Sequence, residues 1–341
     1  MTIKRFFDRF NQLYSTYIAK DGRQNPFAKV WYLTDYFFSY IFQGASLNDY
    51  FAYCFYKLRP CGRREYITYR RYHRIMSICN DPGDIKYFRD KSEFNRVFKA
   101  CLGRENIDLN LATPEEFRAF FEMYKEIFVK EVRGFRGNSV KLYSLKDVNP
   151  DKLYADLKSE SGRHYVAENR LREHPALSAF HPASINTLRL VTVYDDKKDQ
   201  VHIMSARIRI GNKGNYVDNF HFEGIGANID IDSGIICSVG YNARDEEFLV
   251  HPMTGKQIMG FQVPDWQECK AFVEQCARVV KTVRYVGWDV VPQENGGFAL
   301  IEGNDNADHD FQQMHYHGMW PEYKELLAHR QTSVDNFFVC S

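Results

Sequence analysis

No apolar run among the 341 residues approaches the roughly 20 residues that an α-helix needs to cross a bilayer. The longest candidate, residues 30–42, is short and contains Asp35. The eight cysteines include no Cys-x-x-Cys pair, which argues against a zinc site and against a disulfide framework. The N-terminal residues lack a long apolar stretch before a small-residue cleavage site, so no signal peptide is predicted. These absences together favour a protein of the reducing cytoplasm.

Net charge is almost absent as well, because 45 Lys and Arg residues stand against 44 Asp and Glu residues. The hydrophobic fraction of 44% and the charged fraction of 26% are typical of globular proteins and exclude a wholly disordered or fibrous chain. The charges are unevenly distributed, however. The first 74 residues contain 13 Lys and Arg, five Asp and Glu, and 21 of the 53 aromatic residues. A basic, aromatic-rich region therefore precedes a mildly acidic body.

The spacing of apolar residues predicts helices in residues 1–82 and a mixed α+β body after them. The turn sequence Asn-Asp-Pro-Gly at residues 80–83 marks the boundary. Strands are predicted at residues 126–132, 139–143, 164–168, 187–194, 202–210, 234–239, 285–291 and 297–302. Further helices are predicted at residues 91–102, 114–123, 146–160 and 265–283. There is no internal repeat and no low-complexity tract.

Two apolar segments near the C-terminus carry oxygen-bearing side chains suited to a metal ion. Asp289 lies in one predicted strand, and Glu302 and Asn304 lie in or directly after the next. A hairpin would bring Asp289 near Glu302, and residues two apart on an extended chain point to the same side. Two carboxylates and an amide oxygen form a hard ligand set that Mg²⁺ prefers. The alternative interpretation is a polar hairpin tip without a metal.

Further candidate site residues lie in a glycine-containing loop and on two apolar strands. Lys130 precedes a segment with Gly134 and Gly137, whose backbone N–H groups could approach phosphates. It is not a Walker loop, and an ordinary hairpin would explain it equally well. Arg189 and Arg209 lie in apolar strands, where each should face a carboxylate or a phosphate. A structural salt bridge is the alternative at both positions.

No protein nucleophile can be identified from the sequence. Cys237 and His221 have no partner that the sequence identifies, so both are interpreted as structural residues. His309, His315 and His317 form a cluster, but their spacing matches no standard zinc pattern.

Taken in chain order, these segments resemble the ATP-grasp superfamily, most of all the sugar-transfer-associated ATP-grasp family. The resemblance covers residues 45–325 and includes residues 181–189, 217–220, 287–291 and 301–304. It implies the ATP-grasp fold, in which two α+β lobes enclose ATP, preceded here by the aromatic-rich helical region. The predicted domains are the helical region 1–82, a first lobe 83–163, a second lobe 164–330 with the Mg-ATP site, and a tail 331–341.

The resemblance also implies roles for individual residues. It assigns ATP binding to Lys91, Lys130, Gly134, Gly137, Asn138, Ser139, Val166, Glu168, Asn169, Asn186 and Asn219. It assigns Mg²⁺ binding to Asp289, Glu302 and Asn304, and stabilisation of the reacting groups to Arg189 and Arg209. We expect Asp289→Asn and Glu302→Gln to abolish turnover and to leave the fold intact.

The activity implied by the resemblance is that of an ATP-dependent carboxylate–amine ligase working through an acyl-phosphate. The expected substrate is a sugar acid or a surface-polysaccharide precursor, either a small molecule or a lipid-linked sugar. A kinase on the same scaffold, which phosphorylates a hydroxyl group, is an alternative. A non-catalytic binding module is a second one, since the basic aromatic stretch 59–74 could contact nucleic acid or an anionic membrane surface. Of these two partners the membrane surface is favoured, and an amphipathic helical layer packed on the body is the simplest interpretation of the stretch.

Overall fold

The computed structural model describes residues 2–19, 26–132, 140–212, 224–315 and 317–328. The chain forms two compact units, one that combines Met1–Cys79 with the segment starting at Ala307, and one that spans Asn80–Asn306. The first unit is helical and the second mixes helices with antiparallel sheets, so the predicted fold class is confirmed. Within the described ranges, none of the helices is long and apolar enough to pass through a membrane.

Helices account for all the regular structure described in the first unit. They are α1 (Ile3–Tyr17), α2 (Pro26–Gln43), α3 (Leu47–Ala52), α4 (Pro60–Arg63), α5 (Tyr69–Cys79), α12 (His309–Gln313) and α13 (Trp320–Leu327), with a 3-10 turn at Phe55–Lys57. Helix α3 begins with a capping box in which Ser46 accepts from the backbone N–H of Asp49, and the Asp49 carboxylate accepts from the N–H of Ser46. The core of the unit is largely aromatic, with Phe10, Tyr14, Tyr50, Phe51 and Phe55 all buried.

The second unit contains the remaining elements. Its helices are α6 (Lys86–Arg89), α7 (Lys91–Val97), α8 (Pro114–Tyr124), α9 (Pro150–Ser159), α10 (Pro175–Ser178) and α11 (Trp266–Ala277), with a 3-10 turn at Lys99–Cys101. Its strands are β1 (Asn106–Asp108), β2 (Glu126–Glu131), β3 (Val140–Ser144), β4 (Tyr165–Asn169), β5 (Thr187–Asp195), β6 (Gln200–Ile210), β7 (Ile225–Asn228), β8 (Gly240–Tyr241), β9 (Glu247–Phe248), β10 (Tyr285–Pro292) and β11 (Phe298–Asn304).

The strands form two antiparallel sheets. The four-stranded sheet has the order β1-β4-β2-β3, and one of its faces packs on α8 and α9 through residues such as Ile127, Phe117 and Leu153. The seven-stranded sheet has the order β11-β10-β5-β6-β7-β8-β9. Leu190, Ile208 and other alternate residues of this sheet belong to the largest apolar core. Since successive side chains alternate between faces, the intervening residues lie on the opposite face of the sheet.

Two expectations from the sequence differ from the observed structure. Residues 234–239, predicted as a strand, form only isolated bridges such as Ile229 with Ile236, because their backbone turns at Gly234 with a positive φ of 75°. Residues 307–328, which the sequence analysis placed in the second lobe, belong to the helical unit. There the side chain of Gln313 accepts from the N–H of Ile67 at 2.7 Å and donates to the Tyr53 hydroxyl at 3.0 Å.

A buried ion pair with His309 makes the stability of the helical unit sensitive to pH. The His309 Nε2 lies 3.0 Å from a carboxylate oxygen of Asp49. Burial opposes the charged imidazole, but this hydrogen bond and the negative charge of Asp49 outweigh it and raise the pKa of His309. A raised pKa stabilises the folded state below the ordinary value of about 6.5, and the effect is lost as pH rises through the folded-state pKa.

We therefore predict that His309→Asn destabilises the protein by about 2 kcal/mol at acidic pH and by less at alkaline pH. Urea unfolding at about pH 5.5 and about pH 8.5 measures this difference, since these values bracket the ordinary pKa of histidine. The exposed His164, changed to Asn, is the matched control and should have little effect at either pH. A loss for His309→Asn that grows with pH would contradict the prediction.

Candidate active site

Charged side chains form a row across the seven-stranded sheet. Glu302 of β11 pairs directly with Asp289 of β10, which pairs with Arg189 of β5, which in turn pairs with Arg207 of β6. Residues directly opposite in an antiparallel sheet point to the same face. The row therefore lies on the face opposite the apolar core, and it juxtaposes two carboxylates with two guanidinium groups.

Asp289 is the buried centre of this row. One of its oxygens accepts from Arg189 Nη2 at 2.8 Å and from Arg209 Nη1 at 3.0 Å, and the other accepts from Arg189 Nε. Burial alone would raise the pKa of Asp289, but the two guanidinium charges outweigh it and lower the pKa to about 2. The carboxylate thus stays ionised, and it holds both arginines in place.

Glu302 differs from Asp289 because its side chain is 51% exposed. Its Oε1 accepts from Asn304 Nδ2 at 3.1 Å and lies 3.9 Å from Arg189 Nη2. Desolvation of the carboxyl group and the negative charge of Asp289 raise the pKa of Glu302. Gly303 separates the two polar residues, and a Cβ atom there would lie only 2.9 Å from the Trp288 ring, so glycine lets β11 pack over this tryptophan.

The predicted metal ligands Asp289, Glu302 and Asn304 are thus brought together. Asp289 is buried, whereas the Glu302 side chain is half exposed. Two neighbouring carboxylates, of which Glu302 has a raised pKa, form with an amide oxygen a donor set that fits a hard divalent cation. Glu302 and Asn304 are accessible, whereas Arg189 and Arg209 already contact Asp289. No cluster of three or more His, Cys, Asp or Glu residues with metal-binding geometry occurs in the part of the chain that the structure describes. Binding of Mg²⁺ here would therefore rely on Glu302, Asn304 and oxygens from water or phosphate.

A second set of charges lies on the four-stranded sheet. Glu168 of β4 is buried and pairs with Lys130 Nζ at 2.5 Å and with Arg104 Nε at 2.8 Å. Burial by itself would raise the pKa of Glu168, but the positive charges of Arg104 and Lys130 lower it well below its ordinary value. Two of the residues predicted to bind ATP, Lys130 and Glu168, therefore contact each other.

Lys91 lies at the start of α7, where Asp90 caps the helix by accepting from the N–H groups of Ser92 and Glu93. Its Nζ donates to the carbonyl oxygen of Glu131 at 3.0 Å. Burial lowers the pKa of Lys91 and the charge of Lys130 lowers it further, while nearby carboxylates act in the opposite direction. Glu302 and Glu168 are among these carboxylates, so charged groups of both sheets influence the pKa of Lys91.

Arg104 is a site residue that the sequence analysis missed. Besides Glu168, its guanidinium contacts the carbonyl oxygens of Leu300 and Ile301 on β11, the latter at 3.2 Å. It thereby connects the four-stranded sheet to the strand that carries Glu302. The only signal in the sequence is a cation that follows the apolar residues 101–102 after one glycine, Gly103. That pattern alone does not identify a partner.

The other predicted ATP-binding residues have mainly structural contacts among the described residues. Val166 is buried on β4, and Asn169 accepts from the N–H of Glu105 at 2.8 Å. The Asn186 amide group donates to Glu173 and to the carbonyl of Leu177, and it accepts from the N–H of Gly211. These contacts position the start of β5 and thus Arg189. Gly134, Gly137, Asn138, Ser139, Asn219 and His221 lie outside the described residues.

Residues 130–327, more than half of the chain, match the family described as sugar-transfer-associated ATP-grasp. The chain belongs to this family, and the ATP-grasp fold expected from the sequence is thereby confirmed. A search of the curated proteins finds no match.

Several solved structures of ATP-grasp enzymes are similar at low sequence identity. The ATP-grasp ligase PsnB with its minimal precursor is 15% identical with a TM-score of 0.45, covering 74% of this chain and 64% of that one. The D-alanyl-alanine synthetase A of Vibrio cholerae is 12% identical with a TM-score of 0.41, covering 72% and 61%. The carboxyaminoimidazole ribonucleotide synthase of Aspergillus clavatus, complexed with ATP, is 12% identical with a TM-score of 0.41, covering 65% and 46%. The chain thus spans less than two thirds of the length of these relatives.

Proposed function

We propose that this protein is an ATP-dependent carboxylate–amine ligase that activates its substrate as an acyl-phosphate. The observation that carries the proposal is the arrangement of positive charges around Glu302 and Asn304, which are accessible. Lys91, whose Nζ donates to Glu131 of the four-stranded sheet, interacts electrostatically with Glu302, and Arg189 of the seven-stranded sheet lies 3.9 Å from Glu302. Positive charge on two sides suits a polyphosphate, and Glu302 with Asn304 suits the divalent cation that accompanies it.

Each residue has a distinct part in the proposed binding of ATP. Lys91 and Lys130 neutralise phosphate charge, and the Glu168–Lys130 pair keeps that lysine oriented. Glu302 and Asn304 would hold Mg²⁺, which when bound offsets the charge that develops during phosphoryl transfer. Asp289 contributes mainly by positioning Arg189 and Arg209.

The two arginines fit the chemistry of the activated substrate. A carboxylate oxygen of the substrate attacks the γ-phosphorus of ATP, the bond to ADP breaks, and an acyl-phosphate forms. An amine then attacks the acyl carbon, expels inorganic phosphate and loses a proton to give the amide. Guanidinium groups bind carboxylate and phosphate oxygens in a bidentate geometry. Arg189 and Arg209 are therefore suited to both the reactant and the intermediate.

The description of the family supports a sugar acid or a surface-polysaccharide precursor as the substrate. We place this reaction in the cytoplasm, in keeping with the eight scattered cysteines of the sequence, which include no Cys-x-x-Cys pair. Release of one inorganic phosphate with each amide formed would distinguish the ligase from a kinase. A kinase would instead leave the phosphate on a hydroxyl group of the substrate.

A thermal-shift titration with ATP and Mg²⁺, separately and together, tests the nucleotide site. At about 100 times its dissociation constant a ligand should stabilise the protein by about 2.7 kcal/mol. We predict a shift that requires both ligands in the wild type and that is lost or strongly reduced in Glu302→Gln. Because Glu302 is half exposed, this variant without ligand should melt close to the wild type.

Glu294→Gln provides a matched control, since Glu294 is an exposed glutamate in the turn between β10 and β11. It should keep the full shift with Mg-ATP. An equal shift in wild type and Glu302→Gln would contradict the role of Glu302. No shift under any condition would contradict the proposed function itself.

A further inference from the structure

Helix α2 presents a stripe of large apolar side chains to the solvent. Six of them have exposed fractions between 54% and 85%, namely Phe27, Val30, Trp31, Phe38, Ile41 and Phe42. Successive members of this set are one, three or seven positions apart, and these steps keep them on one side of an α-helix with 3.6 residues per turn. Contiguous exposed apolar surface of this kind marks a site that binds another surface.

The opposite side of α2 packs Tyr36 and Leu33 against the aromatic core and also carries a buried polar network, so the helix has apolar residues on both sides. Asp35 forms a bidentate pair with Arg63 at 2.8 and 2.9 Å, and it also accepts from the Tyr50 hydroxyl at 2.7 Å. Ser39 accepts from the same arginine at 2.7 Å. The inner face is thus held by a specific polar network. The apolar residues of the stripe consequently face outward.

Cations border the exposed stripe. The first turns of α1 lie beside α2, with the Phe6 and Phe37 rings 6.0 Å apart, and Lys4 and Arg5 of these turns are exposed. At the other border, Arg70 donates to the carbonyl oxygens of the α2 residues Tyr40 and Ile41. The single acidic residue of α2, Asp35, belongs to the inner network. An anionic surface would therefore complement this side of the unit.

The basic stretch 59–74 has a smaller part in this surface than its composition suggests. Arg63 is buried in the network with Asp35. Arg71 stacks 4.6 Å from the Trp320 ring centre, and burial together with the charge of Arg64 lowers its pKa to about 10. Arg70 remains exposed at the end of α2. The apolar stripe, rather than the arginine count, defines the surface.

We propose that α2 docks this protein onto the surface of a lipid bilayer that contains anionic lipid. The apolar stripe enters the interfacial region, and Lys4, Arg5 and Arg70 contact the headgroups. Trp31 belongs to a residue type that favours this region. A second copy of the chain fits less well, because a two-fold contact through α2 would bring these cations close to their own copies. This inference is independent of the nucleotide site.

Vesicle flotation of the full chain tests the proposal. The protein should float with vesicles of phosphatidylcholine containing a minority of phosphatidylglycerol, more weakly with pure phosphatidylcholine, and more weakly in high salt. The double variant Trp31→Glu/Phe38→Glu should reduce the partition coefficient by about tenfold or more, because it places two charges in the apolar stripe. Leu111→Glu/Met123→Glu is the matched control, since both residues are exposed apolar residues of the other unit. It should bind like the wild type.

Thermal melting of both variants verifies that they fold, as expected for changes at exposed positions. Vesicle binding that survives in Trp31→Glu/Phe38→Glu, or no binding by the wild type, would overturn the proposal. Equal binding to both lipid mixtures would overturn the role of the cations. Light scattering measures the oligomeric state of both proteins. A wild-type dimer that becomes a monomer in this variant, without any vesicle binding, would assign α2 to contact between copies instead.

Discussion

Asp289→Asn is expected to lower the free energy of unfolding by about 3–5 kcal/mol and to abolish ATP-dependent turnover. Asp289 is buried and accepts hydrogen bonds from Arg189 and Arg209. An amide of the same size preserves the packing but removes the negative charge between the two guanidinium groups. The structure thus alters the expectation from the sequence, which was loss of turnover with an intact fold. Urea unfolding of the purified variant measures the effect.

The loss of stability in Asp289→Asn should also depend on pH. Because the two arginines lower the pKa of Asp289 to about 2, its contribution is present above the ordinary carboxyl pKa and is lost as pH falls. The difference between wild type and variant should therefore shrink between about pH 4 and about pH 2. Asp151→Asn, at an exposed pair with Arg118, should unfold like the wild type. An Asp289→Asn protein as stable as the wild type would contradict the prediction.

A double-mutant cycle separates the ion pair from other effects of the substitution. Arg189→Met should lower the free energy of unfolding by less in the Asp289→Asn background than in the wild type, because the partner charge has already been removed. Equal costs in the two backgrounds would show that Asp289 and Arg189 act independently.

Glu168→Gln is the second change with a large expected effect. The Glu168 carboxylate is buried between Arg104 and Lys130, so its neutralisation leaves two cations without their shared counter-charge. We predict a loss of about 3–5 kcal/mol in the free energy of unfolding. Arg104 also contacts β11, next to Glu302. The variant should therefore show weaker stabilisation by Mg-ATP, which the same thermal-shift titration measures.

Glu160→Gln is the matched control for this prediction. Glu160 pairs with Arg163 at the surface, where both side chains are well exposed. Its replacement should leave both the unfolding curve and the shift with Mg-ATP close to those of the wild type. Glu168→Gln would contradict the prediction if it unfolded like this control.

Local features of the structure could be predicted because a few neighbouring residues determine them. The capping boxes at Ser46 and Thr113 follow from side chains three residues apart. The strand alternation around Trp288 and Asp289 follows from a period of two. The proximity of Glu302 to Asp289 was predictable for the same reason, since a tight hairpin joins their strands.

Features that depend on distant segments could not be predicted in the same way. Strands β8 and β9 contain two residues each, too few for any periodic pattern. The contact of Arg104 with Leu300 and Ile301 joins residues almost 200 positions apart. The residue types at these positions do not indicate that they are in contact. The domain limits drawn from the sequence remain a prediction. The membership of residues 307–328 in the helical unit depends on such distant contacts, for example that of Gln313 with Tyr53.

The sequence by itself determined the family, the α+β body, the aromatic helical region and the carboxylates and arginines of the candidate site. Their residue types and local spacing carry that information, because hydrogen bonding and burial within one element depend on neighbouring residues. Only the tertiary structure decided which charges neutralise one another, as in Asp289 with Arg189 and Arg209, or Glu168 with Arg104 and Lys130. It also decided that the apolar stripe of α2 faces solvent. Both depend on how separate elements pack, since a charge or an apolar stripe is compatible with many partners until packing brings one of them within contact distance.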